Sequence, residues 1–201
     1  MNVTDLIKKK LEKAVTREQA EEAIKVLLAW AGDNPKREGL LDTPKRVVKA
    51  FEEYFSGYLI DPYKDLEKTF GDVDGYDDMV IQKNISIYSH CEHHMAPIIG
   101  IAHVAYIPHE KVVGLSKLAR VVEAYSRRLQ TQERLTMEIA NTIFKGLKAQ
   151  GAAVSINAVH HCMTSRGIKK HEATTVTNYF TGVFKESHNL QNRFLHYIGQ
   201  K

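Results

Sequence analysis

The chain has only two cysteines and one tryptophan in 201 residues, and it lacks any run of about 18 apolar residues of the kind a membrane-spanning helix needs. Two cysteines cannot build a disulfide framework, and no disulfide is expected. Charge of one sign is also scarce: the formal net charge is +4, and no Lys/Arg run with interleaved aromatics marks a nucleic-acid surface. The basic residues instead suit a small anionic ligand. Met1 to Lys13 is charged where a secretory signal would carry an apolar stretch, so the expected location is the cytoplasm. With 43% hydrophobic residues the chain can bury one substantial core. It contains no internal repeat and no low-complexity segment.

What is present is concentrated. Both cysteines and five of the ten histidines fall in Ser89-His90-Cys91-Glu92-His93-His94 and His160-His161-Cys162. Cys91 and His94 are spaced so that one tight turn offers a thiolate and an imidazole to the same ion, and Cys162 supplies a third donor from a distant strand. Two soft thiolates and one imidazole favour Zn2+. Three protein ligands leave one corner for water, which points to catalysis, whereas a fourth ligand from the remaining histidines would close the site as a structural Cys2His2 centre.

The patterning predicts an amphipathic helix over about 17–31, with Thr16 and Gln19 as a capping box, and a second from Thr43-Pro44 to near Gly57. Residues 58–78 read as an irregular connection. Alternation predicts strands over 79–89 and 100–107, joined by the loop that carries Cys91 to His94. Helices follow over 116–127 and 132–149, with Gly151 as the C-cap glycine, and then strands over 153–162 and 174–182. This order favours an α+β fold with an antiparallel sheet and helices on one face.

A second constellation lies between the metal segments. Ser116, Lys117 and Arg120 fall within one turn of a helix start, where backbone N–H groups and the helix dipole meet phosphate oxygens; the same pattern also fits a capped, solvated helix start. Gln132 and Glu133 can read a purine edge or stand as exposed helix formers, and Arg166 either brings a cation towards Cys162 or is a surface charge.

Taken together, Cys91-Glu92-His93-His94, the run Gly114 to Arg120, Gln132-Glu133-Arg134-Leu135-Thr136, and Ala158 to Cys162 with Arg166-Gly167 resemble GTP cyclohydrolase I, in the family's order, from about Asp42 to Phe184. That family converts GTP to 7,8-dihydroneopterin triphosphate and formate, the entry to folate and tetrahydropterin synthesis. The resemblance implies zinc on Cys91, His94 and Cys162, with a water activated there attacking C8 of guanine, and His93 and His160 as catalytic acid/base groups. It further implies Gln132 and Glu133 at the guanine edge, Leu115, Ser116, Lys117, Arg120, Arg166 and Lys49 around the substrate and its triphosphate, and a role for Ser116 in proton movement. No Gly-rich phosphate loop is present. By the same resemblance the fold is a T-fold that assembles into a toroidal homodecamer of two pentamers, with active sites at subunit interfaces. The expected organisation is one continuous unit, an N-terminal helical segment over 1–60 followed by a catalytic T-fold domain over 61–201.

Three residues depart from the family pattern: His90, Thr131 and His161. His90 and His161 add two imidazoles beside the metal loop, within reach of a fourth coordination position. Two other readings compete with the hydrolase: a non-catalytic zinc-stabilised nucleotide-binding or oligomerisation module on the same scaffold, and an enzyme that stops after C8 hydration or takes another purine triphosphate.

Overall fold

The computed structural model describes residues 15–71 and 75–200. Met1 to Lys13, on which the expectation about a secretory signal rests, lies outside them. Among the described residues no helix is long and apolar enough to cross a membrane. The chain divides into two compact units, Met1–Ile60 and Asp61–Lys201.

In the first unit, α1 (Arg17–Trp30) opens on the reciprocal capping box expected from Thr16 and Gln19, which satisfies two backbone N–H groups that the helix itself cannot. Helix α2 (Thr43–Tyr54) begins one residue earlier than the Thr-Pro pair implied: Asp42 is the N-cap and Pro44 sits in the first turn, where its missing N–H costs nothing. Arg17 pairs with Glu21 of its own helix at 3.1 Å and with Glu52 of α2 at 2.7 Å.

The second unit is built on one sheet. In chain order it contains β1 (Thr69–Phe70), β2 (Val80–Cys91), β3 (Pro97–Ile107), β4 (Val112–Val113), α3 (Leu115–Ser126), β5 (Leu129–Gln130), α4 (Gln132–Gly146), β6 (Gly151–His160), α5 (His161–Thr164), β7 (Thr175–Gly182), α6 (Val183–Glu186) and α7 (His188–Tyr197). The sheet order is β5-β2-β3-β6-β7, antiparallel except where β5 runs parallel to β2. Strands β1 and β4 form a separate small ladder, and β1 lies inside the stretch read as irregular, because two residues are too few for alternation to register.

Side-chain alternation sorts the two faces of the sheet. Ala102, Val104 and Tyr106 of β3, with Ala152, Val154 and Ile156 of β6, join Leu118, Val121, Leu135, Ile139 and Ile143 of α3 and α4 in the main core. Each fully buried Ile or Leu there contributes about 1.5–3 kcal/mol. Ala105, Ile107 and Ala153 point the other way and meet Phe184 of α6 and Phe194 of α7. Helices therefore cover both faces, not the single face expected, since α6 and α7 follow the last segment whose pattern was read.

Two boundaries also differ. Helix α4 stops at Gly146 and Lys148 takes a left-handed φ of 49°, so Gly151 does not cap the helix but opens β6. A Cβ there would stand 2.7 Å from the Thr181 carbonyl oxygen. Strand β6 ends at His160, and Cys162 sits on the following helical turn instead of on a strand.

On the α6/α7 face, β2 bulges between Gln82 and Ile85 with Asn84 at φ 57°, and the Asn84 N–H donates to His103 Nδ1 at 3.3 Å. Burial, helped by the Lys83 ammonium, holds the His103 pKa below the ordinary imidazole value. The folded value lies below the unfolded one, so the stability tied to neutral His103 is whole above about pH 6.5 and is lost as pH falls through the lowered value. Between about pH 6.5 and 5 the melting temperature should fall more steeply for the native protein than for His103→Asn, whose amide oxygen accepts from Asn84 without titrating. Parallel curves would remove His103 from that acid sensitivity.

Candidate metal centre

Strand register assembles the centre. Pro97 pairs with His90 and Ile98 with His160, so the first residues of β3 hold the end of β2 beside the end of β6. Cys91 closes β2, and the chain then turns tightly: Cys91 N–H donates to the Ala96 carbonyl at 2.8 Å, Met95 N–H donates to the Cys91 carbonyl at 2.8 Å, and Met95 takes a left-handed φ of 51°. That turn swings His94 back over its own strand. On the other side, α5 carries Cys162 round from the end of β6.

The result is a compact donor group. One ligand atom from each of Cys91, His94 and Cys162 lies within 4.8 Å of the others, and it is the metal-capable group found among the described residues. Cys91 Sγ stands 3.7 Å from His94 Nδ1, close to the separation of about 3.5–3.8 Å that tetrahedral Zn–S and Zn–N bonds impose. Burial and then the nearby Cys91 sulfur push the Cys162 thiol pKa up, while Arg166 pulls it down. A divalent cation between the sulfurs reverses that balance, because ligating thiols give up their protons. The donor chemistry and the spacing fit a thiophilic divalent ion.

His90 and His161 do not join the trio. His90 lies on β2 one residue from Cys91 and so on the opposite face of the strand, where it is 6% exposed.

The candidate acid/base groups flank the trio differently. His93 is exposed, with Nδ1 3.7 Å from Cys91 Sγ and Nε2 3.8 Å from Glu92 Oε1. Glu92 in turn is paired with Arg134 at 2.9 Å, and Arg134 is fixed by Gln130 Oε1 and the Leu129 carbonyl, both at 2.9 Å. This clamp, which ties the metal turn to the start of α4, escaped the sequence reading, since nothing in the spacing of Glu92 and Arg134 brings them together.

His160 Nε2 lies 2.7 Å from Gln132 Oε1. The Gln132 amide nitrogen is shared among the Ile156 and Thr175 carbonyls and Thr177 Oγ1 at 2.9–3.1 Å, which fixes the amide orientation. His160 must therefore donate from Nε2, leaving Nδ1 as the acceptor. Burial lowers the His160 pKa, and the Glu133 carboxylate offsets this only in part, so the ring is neutral near pH 7. Gln132 is 1% exposed and its head group is spent inside the chain. Glu133, exposed on the first turn of α4 and felt electrostatically by His160, is the group open to a ligand.

At the start of α3, Leu115 and Ser116 are exposed. Lys117 and Arg120 both reach Asp65, at 3.0 and 3.3 Å, a contact from the connecting segment that the pattern of residues 58–78 did not reveal. Arg166 is exposed and near enough to influence Cys162. Lys49 is exposed on α2 in the first unit.

A sulfur–nitrogen–sulfur trio flanked by a neutral histidine and an exposed one makes this class of site one that can hold a thiophilic metal ion beside two imidazoles able to move protons. Residues 20–199 match the profile of the GTP cyclohydrolase I family. A protein named GTP cyclohydrolase 1 from Pelagibacter ubique (strain HTCC1062) is 66% identical over 188 residues, covering 94% of this chain and 93% of that protein. Proteins of the same name from Maricaulis maris (strain MCS10) and Hyphomonas neptunium (strain ATCC 15444) are 57% and 56% identical, covering 90% and 92% of this chain and 88% and 90% of theirs. The chain belongs to the GTP cyclohydrolase I family.

Replacing Gln132 by Leu would leave Nε2–H of His160 without its acceptor and remove the amide's bonds to the Ile156 and Thr175 carbonyls and Thr177 Oγ1. Urea unfolding should show a loss of about 2 kcal/mol; an unchanged midpoint and slope would mean that these bonds are re-formed elsewhere.

Proposed function

We propose that the protein hydrolyses the guanine ring of GTP at C8, releases that carbon as formate, and rearranges the ribose to give 7,8-dihydroneopterin triphosphate, the first step of folate and tetrahydropterin synthesis. The balance is GTP plus one water giving the pterin triphosphate and formate. The observation that carries this reading is the convergence of Cys91, His94 and Cys162 with His93 and His160 at one end of the sheet, in a chain of this family. A binding module would have no use for an open metal site set beside two proton-transfer groups.

Zinc held by Cys91, His94 and Cys162 supplies Lewis acidity, which makes water nucleophilic near neutral pH. His160, neutral and pinned at Nε2 by Gln132, offers Nδ1 to take a proton from the attacking water and return it to a ring nitrogen as the C8–N bond breaks. His93 carries a second proton at the exposed side, its ring steadied by the Glu92–Arg134 clamp. Glu133 accepts from the guanine N1–H and 2-amino group together, a pair of donors that adenine lacks. Gln132 supports this recognition indirectly, through its hold on His160. Leu115 borders the base. Ser116, Lys117, Arg120, Arg166 and Lys49 hold the triphosphate, and Ser116 also assists proton movement as the ribose opens. The chain works in the cytoplasm, and as a T-fold it assembles into a toroidal homodecamer of two pentamers in which neighbouring subunits complete each site.

The test is turnover of GTP by the purified, zinc-loaded protein, with the product oxidised to its fluorescent pterin and formate measured in the same samples. Equal amounts of pterin and formate are expected, and both should fall at least about 100-fold in His93→Ala. Metal analysis should find zinc in the native protein and its loss in Cys162→Ala, with activity lost in parallel. Formate without pterin would indicate a reaction that stops early, and turnover by the metal-free Cys162→Ala protein would overturn the mechanism.

A further inference from the structure

Lys117 and Arg120, the helix-start cations assigned to the triphosphate, already hold an anion that belongs to the chain. A single oxygen, Asp65 Oδ1, accepts from Lys117 Nζ at 3.0 Å and from Arg120 Nη1 at 3.3 Å. One oxygen bridging an ammonium and a guanidinium is the arrangement a phosphoryl oxygen adopts between the same two groups. Asp65 does not reach there on a long tether. It sits on the short turn Lys64–Leu66, anchored by Leu66, which is 1% exposed. The side chains of Asp65 and Lys117 are only 21% and 20% exposed, whereas Arg120 is 62% exposed. The contact is thus partly shielded from water, where a charge pair is screened least. Burial works against the Asp65 carboxylate, yet the hydrogen bonds from Lys117 and Arg120 hold its pKa below the usual value, so it is charged at neutral pH.

We propose that Asp65 is an internal competitor for the phosphate-binding cations: it occupies Lys117 and Arg120 between turnovers, yields them to the substrate, and reclaims them as product leaves. The proposal rests on the assignment of these two cations to the triphosphate. Its functional sense lies in the reaction itself, because substrate and product carry the same triphosphate. A site that gripped the chain with uncompensated cations would hold the product as firmly as the substrate. An internal carboxylate lowers affinity for both and speeds release. It also sets a specificity threshold, because a ligand must outbid one carboxylate before it gains either cation.

The experiment measures binding of inorganic triphosphate by calorimetry to the zinc-loaded native protein, Asp65→Asn, Asp65→Glu and Lys117→Met, with KM for GTP and product inhibition measured alongside. Asp65→Asn should bind inorganic triphosphate about threefold more tightly, with a lower KM and stronger product inhibition. Asp65→Glu, which keeps the charge, should stay near the native affinity. Lys117→Met should bind more weakly than native. Native or weaker affinity in Asp65→Asn, with Lys117→Met still impaired, would overturn the competitor and leave the phosphate assignment standing. Tightening in Asp65→Glu equal to that in Asp65→Asn would show that shape and not charge is responsible, and would also overturn it. Native affinity in Lys117→Met would remove the phosphate assignment itself.

Discussion

Everything at the metal centre depends on the two-sided register of β3. Its first two residues pair with His90 on one side and His160 on the other, so that β3 lies between the two cysteine-bearing segments. The spacing of that junction is set a little further along, where Gly100 lies opposite Ala158. A Cβ at Gly100 would drive into the Asn157 carbonyl and stand 2.6 Å from the Ala158 Cα, so the absence of a side chain on β3 lets β6 approach. The apolar alternation of β3 and β6 against α3 and α4 supplies the energy; the ladder converts it into the placement of three donor atoms.

Around that frame the polar groups act in pairs. Gln132 fixes the tautomer of His160 from behind, and the Glu92–Arg134 clamp steadies the turn that carries His93 and His94. Asp65 balances the cations at the start of α3. In each case a polar group from one element fixes a polar group on another. Burial alone would have kept His160 neutral, but it would not have said which nitrogen bears the proton.

Much of this was legible before any fold was known. The C-x-x-H spacing at Cys91 and the second cysteine beside two histidines were enough to pick out the donor trio, since ligand chemistry restricts residue type more tightly than packing does. The capping box at Thr16, helices α1 to α4 and the four long strands followed from periodicity. What escaped has a common cause. The β1–β4 ladder, the Asp65 contact and the Glu92–Arg134 clamp depend on residues far apart in the chain, for which local pattern holds no signal. Gln132 illustrates the other limit: an amide at a helix start looks available to a ligand, and only its burial against Ile156 and Thr175 shows that its donors are spent. The role of Gly151 was misread because a glycine that ends a helix and one that admits a neighbouring strand look alike in sequence.

The placement of the donors has a thermodynamic consequence. Cys91 and Cys162 stand 71 positions apart (162 − 91), and a cation held by both is in effect a reversible cross-link closing a loop of that length. On the chain-entropy account such a link removes about 4 kcal/mol of freedom from the unfolded chain, and by linkage an ion bound only when β6 is paired with β3 adds its affinity to the stability of that pairing. A substitution deep in the sheet that loosens this pairing, far from any ligand atom, should therefore appear as a change in metal affinity.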